Sequence, residues 1–65
     1  MMKAIFKLKD NFNNLSGKEL TVTSLDGRVI TVTVPVNGFD FKGNPIGPEI
    51  ETCLGVDELV EIYNH

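Results

Sequence analysis

A chain of 65 residues, 42% hydrophobic and 23% charged, is a single small globular domain over 1–65 and not a disordered segment. A net charge of −3 argues against extended nucleic-acid binding, which requires a one-signed basic surface. One cysteine, Cys53, excludes an intrachain disulfide, and one cysteine with one histidine, His65, excludes a structural zinc site.

The net charge conceals an asymmetry. Residues 1–33 carry +2, through Lys3, Lys7, Lys9, Lys18 and Arg28, whereas residues 34–65 carry −5. The two ends are therefore expected to meet, within one molecule or between copies. A core of this size rarely supplies more than about 3–5 kcal/mol, which makes a homo-oligomer the expectation. Cys53 has no internal histidine or flanking cation to activate it and reads as a small buried apolar residue. The opening MMKAIFKLKD lacks the apolar run of a signal peptide, and no segment reaches the ~20 apolar residues of a membrane span. With an unpaired thiol, this points to the cytoplasm and away from membranes.

In chain order, Met2, Ala4, Phe6 and Leu8 alternate with Lys3, Ile5, Lys7 and Lys9, the period of a half-buried strand guarded by charge. The stretch DNFNNLSGK breaks the pattern, with Phe12 and Leu15 expected to tuck the loop onto the core or to form a contact patch. ELTVTSLDGRVITVTV is β-branched on both sides of Asp26-Gly27 and reads as a hairpin. A two-residue Asp-Gly turn would split its apolar residues between both faces. A three-residue loop with Gly27 as a bulge pairs Val22 with Ile30 and Leu20 with Val32, giving one dry face and one rich in threonine.

Asn37-Gly38 predicts a second tight turn, pairing Val36 with Phe39, Val34 with Phe41 and Pro35 with Asp40, so that both phenylalanines join the core. Residues 42–48 then form an irregular link. The remainder, EIETCLGVDELVEIYN, predicts a strand near 49–54, a turn at 55–57 and a last strand near 59–63; the alternative is a short helix over 56–63. That last strand, bearing glutamate, is expected beside the lysine-bearing first strand, closing a barrel and pairing opposite charges.

The fold expected is all-β, a small five-stranded SH3-like or OB-like barrel or meander, or a meander with a C-terminal helix. GVDELVEIY resembles the closing turn and strand of SH3-like small barrels. TVTSLDGRVITVTVPVNG resembles a hairpin in the carboxy-terminal substrate-binding domains of Hsp40 co-chaperones; it covers that hairpin alone and implies no function.

No catalytic residue, metal or cofactor is expected. The one histidine is terminal, Glu49 and Glu51 read as a solvated strand face, and Ser16-Gly17-Lys18 lacks the upstream glycine of a phosphate loop. Asp57, Glu58 and Glu61 lack the ligand series of a calcium loop.

Three functions follow. The first is a non-catalytic binding protein that occupies a protein partner's surface through Phe12, Leu15, Ile46 and the threonine face. Free-standing acidic domains of this size are often bacterial or phage accessory proteins, including inhibitors of host factors. The second is a sponge for a nucleotide-like ligand held by Phe39, Phe41, Lys42, Gly43 and Asn44, since Gly43 and Gly47 free the backbone for close approach. A structural subunit of a larger assembly is the third.

Overall fold

The computed structural model describes residues 1–64; His65, read as a terminal, non-catalytic side chain, lies outside the described residues. Five antiparallel strands form one sheet: β1 (Met2–Phe6), β2 (Leu20–Asp26), β3 (Val29–Pro35), β4 (Glu49–Gly55) and β5 (Leu59–Asn64). Their spatial order is β4-β3-β2-β1-β5. Two single-turn 3-10 segments, Phe12–Asn14 and Val56–Glu58, complete the regular structure. The helical alternative for 56–63 shrinks to that second turn, because LVEIY continues as a strand in keeping with its β-favouring side chains. The sheet does not close into a barrel. β4 and β5 are its two outer strands and are not paired with each other.

In β1 the expected alternation holds: Ala4 and Phe6 are buried, and Lys3 and Ile5 face the other way. β5 lies beside β1 as expected, but the charges do not meet. Lys3 is opposite Tyr63, and Glu61 is opposite Ile5. The Lys3 ammonium instead donates to the Thr21 hydroxyl at 2.8 Å, across its own pair with β2.

The β2–β3 hairpin has the predicted dry face and a different register. Val22 pairs with Val32, not Ile30, and Leu25 pairs with Ile30. The turn has two residues, Gly27 and Arg28, between the paired Asp26 and Val29, with positive φ at Gly27 only (60°). The bulge sits at Thr23, where the register shifts between Val22 and Ser24. Either bulge position restores the parity that sends Leu20 and Val22 to the side of Ile30, Val32 and Val34. The mid-strand position wins because it leaves glycine at the first turn residue, where a type II′ turn needs it.

The second predicted hairpin is overturned. β3 pairs along its whole length with β4, so Val34 lies opposite Ile50 and Pro35 opposite Glu49, not Phe41 and Asp40. Residues 36–48 form an irregular extension beyond that ladder. The core is small: Ala4, Phe6, Leu15, Leu20, Ile30, Val32 and Val34 are buried, with Leu8, Val22, Phe39, Leu54 and Leu59 packed against them. Each fully buried side chain of this kind contributes about 1.5–3 kcal/mol. Ile50 and Ile62 lie on the core side of the two outer strands, opposite Val34 and Ala4, yet stay exposed because the barrel is open. Cys53, expected to be buried, is exposed on β4.

Candidate functional site

The extension at 36–48 is a narrowing hairpin built on β3 and β4. Val36 N–H donates to Pro48 O at 2.8 Å, Asn37 N–H to Ile46 O at 3.0 Å, and Ile46 N–H to Gly38 O at 2.9 Å. Phe39 bridges Pro45, and Asp40 N–H reaches Asn44 O at 2.9 Å. Five residues thus close the tip, with Phe41, Lys42 and Gly43 at its apex.

The tip is held by one side chain. Asp40 Oδ1 accepts the backbone N–H groups of Lys42 at 2.9 Å and Asn44 at 2.8 Å, and Oδ2 accepts Asn44 Nδ2 at 3.3 Å. Gly43 N–H donates to the Asp40 carbonyl at 3.0 Å, with Gly43 at a φ of 86° that favours glycine. The Asn44 amide above all, joined by its side chain and by the amides of Lys42 and Gly43, holds the Asp40 carboxyl below the usual carboxylate range. An aspartate binding amides two and four residues ahead is an Asx-type turn.

The base of the loop is clamped to the first 3-10 turn. Phe39 N–H donates to Asn13 O at 2.9 Å, and Asn14 Nδ2 donates to Phe39 O at 2.8 Å. Gly38 passes so close that a Cβ there would lie 2.1 Å from Asn13 Cβ and O. Asn13 and Asn14 both adopt positive φ (59° and 57°), which asparagine tolerates. The turn itself is tied back by Ser16, whose hydroxyl accepts Leu8 N–H at 2.8 Å, and by Asn11 Oδ1, which accepts Ser16 N–H at 2.9 Å.

The phenylalanines divide. Phe39 packs against the core, with the Lys18 ammonium 5.6 Å from its ring centroid. Phe41, expected in the core, is wholly exposed at 103%. Its alternation with Phe39 fails because the Asp40 turn, not a strand, follows Phe39. Phe12 (68%) and Ile46 (41%) are also exposed, on the two segments that the Asn13–Gly38 contact joins. Leu15, grouped with them as a contact residue, is instead in the core at 9%.

Lys42, Gly43 and Asn44 do share one turn, but the amides of Lys42 and Asn44 bind the protein's own carboxylate and that of Gly43 binds the Asp40 carbonyl. An incoming phosphate would meet Asp40 in the place where it needs donors. Away from the tip, an open recess of about 220 Å³ is lined by Met2, Val22, Thr23, Ser24 and Leu25 at the β2 bulge. That is below the roughly 300–1,000 Å³ of ordinary small-molecule sites. Among the described residues no group of three or more His, Cys, Asp or Glu side chains could hold a metal ion, and no helix is long and apolar enough to cross a membrane.

The role of Asp40 and the clamp by Asn13 and Asn14 escaped the reading of the sequence. The spacing of Asp40 and Asn44 around a glycine was the signal for the first; nothing local announced the second. Comparison with known proteins finds no matching family model, no matching curated protein and no matching solved structure.

Proposed function

We propose that this is a non-catalytic protein-binding domain that acts by occupying a partner's surface with the tip of the 36–48 loop. The observation that carries the reading is Phe41: a wholly exposed aromatic ring on a turn whose backbone is fixed by Asp40. Aromatic anchors on preorganised loops are the residues that dominate protein interfaces, and an apolar ring in water has no structural use here. Phe12, on the turn that clamps the loop base, and Ile46, on the loop itself, are further exposed apolar side chains. An accessory or inhibitory role in a bacterium or a phage suits a small acidic domain of this kind, and the exposed thiol of Cys53 suits a reducing cytoplasm.

The sponge reading is the weaker one, because the amides it needs already bind a carboxylate. Self-association through the open sheet edges is also weaker, since Glu49 and Glu51 on β4 and Glu61 on β5 would repel their counterparts. The test is photo-crosslinking from position 41 in a lysate of the cells that express the protein, with Leu25, on the β2–β3 hairpin, as control position. One crosslinked protein from position 41 and none from position 25 is expected; no adduct, or the same adducts from both, contradicts the reading.

A further inference from the structure

The outer edge of β4 is not used by the loop. Its geometry follows from the hydrogen bonds that flank the β3–β4 ladder: Val36 N–H to Pro48 O at 2.8 Å, and Val56 N–H to Arg28 O at 3.0 Å. Antiparallel ladders alternate hydrogen-bonded and non-hydrogen-bonded pairs. Counting inward from either end puts Ile50, Thr52 and Leu54 in hydrogen-bonded pairs with Val34, Val32 and Ile30. The backbone N–H and C=O groups of Glu49, Glu51 and Cys53 therefore point away from β3, on a strand with no neighbour on that side.

The side chains divide by face. Ile50, Thr52 and Leu54 lie on the core side with their β3 partners, and Ile50 is 43% exposed there. Glu49, Glu51 and Cys53 lie on the other side. Among the described residues neither glutamate meets a cation; Glu51 Oε2 accepts the Thr23 hydroxyl at 2.9 Å.

We propose that the β4 edge takes up an extended segment of a partner protein by strand addition, and that this segment carries basic residues at alternate positions with apolar residues between them. Residues hydrogen-bonded to Glu49 and Glu51 would place their side chains on the glutamate face, where Lys or Arg meets a carboxylate. The intervening residues would fall beside Ile50 and Leu54 and lengthen the apolar face. A second copy does not supply such a strand. Its lysine-bearing β1 is central, held by β2 on one side and β5 on the other. Its open edges carry Glu49, Glu51 and Glu61, the wrong sign.

The inference rests on the protein-binding reading but uses a surface separate from Phe41. The test takes the full chain and two short end-blocked peptides, one alternating lysine and valine, the other glutamate and valine. Binding is followed by calorimetry and by amide hydrogen exchange. The lysine peptide is expected to bind and to protect the amides of Glu49, Glu51 and Cys53, and the glutamate peptide is not. Cys53→Pro deletes an outward N–H without touching the β3 ladder and should abolish binding. The pair Glu49→Lys and Glu51→Lys, which needs no backbone change, should reverse the preference by about tenfold in each direction. Equal binding of both peptides, no binding, or protection at other amides overturns the proposal. Peptide binding that survives while position 41 captures nothing overturns the loop reading instead.

Discussion

The Asp40 carboxylate accepts the backbone N–H of Asn44 at 2.8 Å, and the Asn44 carbonyl accepts the backbone N–H of Asp40 at 2.9 Å. This reciprocal pair closes the loop around an anion that belongs to the chain. It fixes the turn that carries Phe41, and it fills the place a bound phosphate would need.

The first prediction concerns pH. Asp40 is held below its ordinary value of 3.8, so the folded loop favours the charged carboxylate. Its contribution is fully present above the unfolded-state value and is lost as pH falls from there through the folded-state value. A carboxyl-carbon NMR titration should place the Asp40 midpoint below 3.8, with amide protection at Lys42 and Asn44 fading over the same range. Asp40→Ala should remove that protection at neutral pH and leave the sheet amides unchanged. An Asp40 midpoint at or above 3.8 would sink this account of the tip.

Gly38→Ala is expected to be destructive out of proportion to its size. The added methyl would meet the Asn13 backbone at 2.1 Å, at a φ of 72° that alanine resists. The strain alone is worth about 1–3 kcal/mol, to be read from chemical denaturation. Gly27→Ala serves as the comparison, because its φ is also positive (60°) but nothing lies within 4 Å. Equal losses for the two variants would remove the clamp between the loop and the first 3-10 turn from the account.

Tyr63 gives a spectroscopic reading of the β1–β5 side. Its hydroxyl donates to Glu19 Oε2, and that bond, with desolvation and the charges of Glu19 and Glu61, pushes the phenol up to about 12 from 10.0. The neutral phenol is the favoured form, so the stabilisation is intact below the unfolded value near 10.0 and disappears as pH rises through about 12. Tyr63 is the single tyrosine, which makes the ultraviolet titration unambiguous. Glu19→Gln should bring the midpoint down towards 10.0; an unchanged midpoint would mean that Glu19 is not the cause.

Alternation located β1 and the two arms of the β2–β3 hairpin, because β1, β2 and β3 each bury side chains on one face. β4 and β5 bury none, and their strands were legible only in β-favouring composition, with a helix over 56–63 as the alternative. Alternation left the bulge undetermined. A bulge at Gly27 and one at Thr23 satisfy the same buried set, and only the turn geometry at Gly27 and Arg28 separates them. Asn37-Gly38 misled for a related reason: local turn chemistry was outweighed by the full-length pairing of β3 with β4, which is non-local. Phe41 then left the core because Asp40 draws the chain into a turn after Phe39. The barrel stays open, and no local pattern in β4 or β5 distinguishes a strand that pairs from one that ends a sheet.

Two phenylalanines should respond in opposite ways to truncation. Phe6 is sealed in the core, and Phe6→Ala should cost about 3–5 kcal/mol, comparable with the whole stability of so small a domain. Phe41→Ala touches no packed neighbour and should change stability by no more than about 0.5 kcal/mol. Thermal unfolding compares them. A large loss for Phe41→Ala would return that ring to a structural role and leave the proposed function without its main support.

The most direct test is the affinity of the partner crosslinked from position 41, measured for the unaltered protein and for Phe41→Ala under one set of conditions. A central aromatic anchor is worth at least about 2 kcal/mol, so the account predicts a loss of roughly thirtyfold with the fold intact. Equal affinities would contradict it.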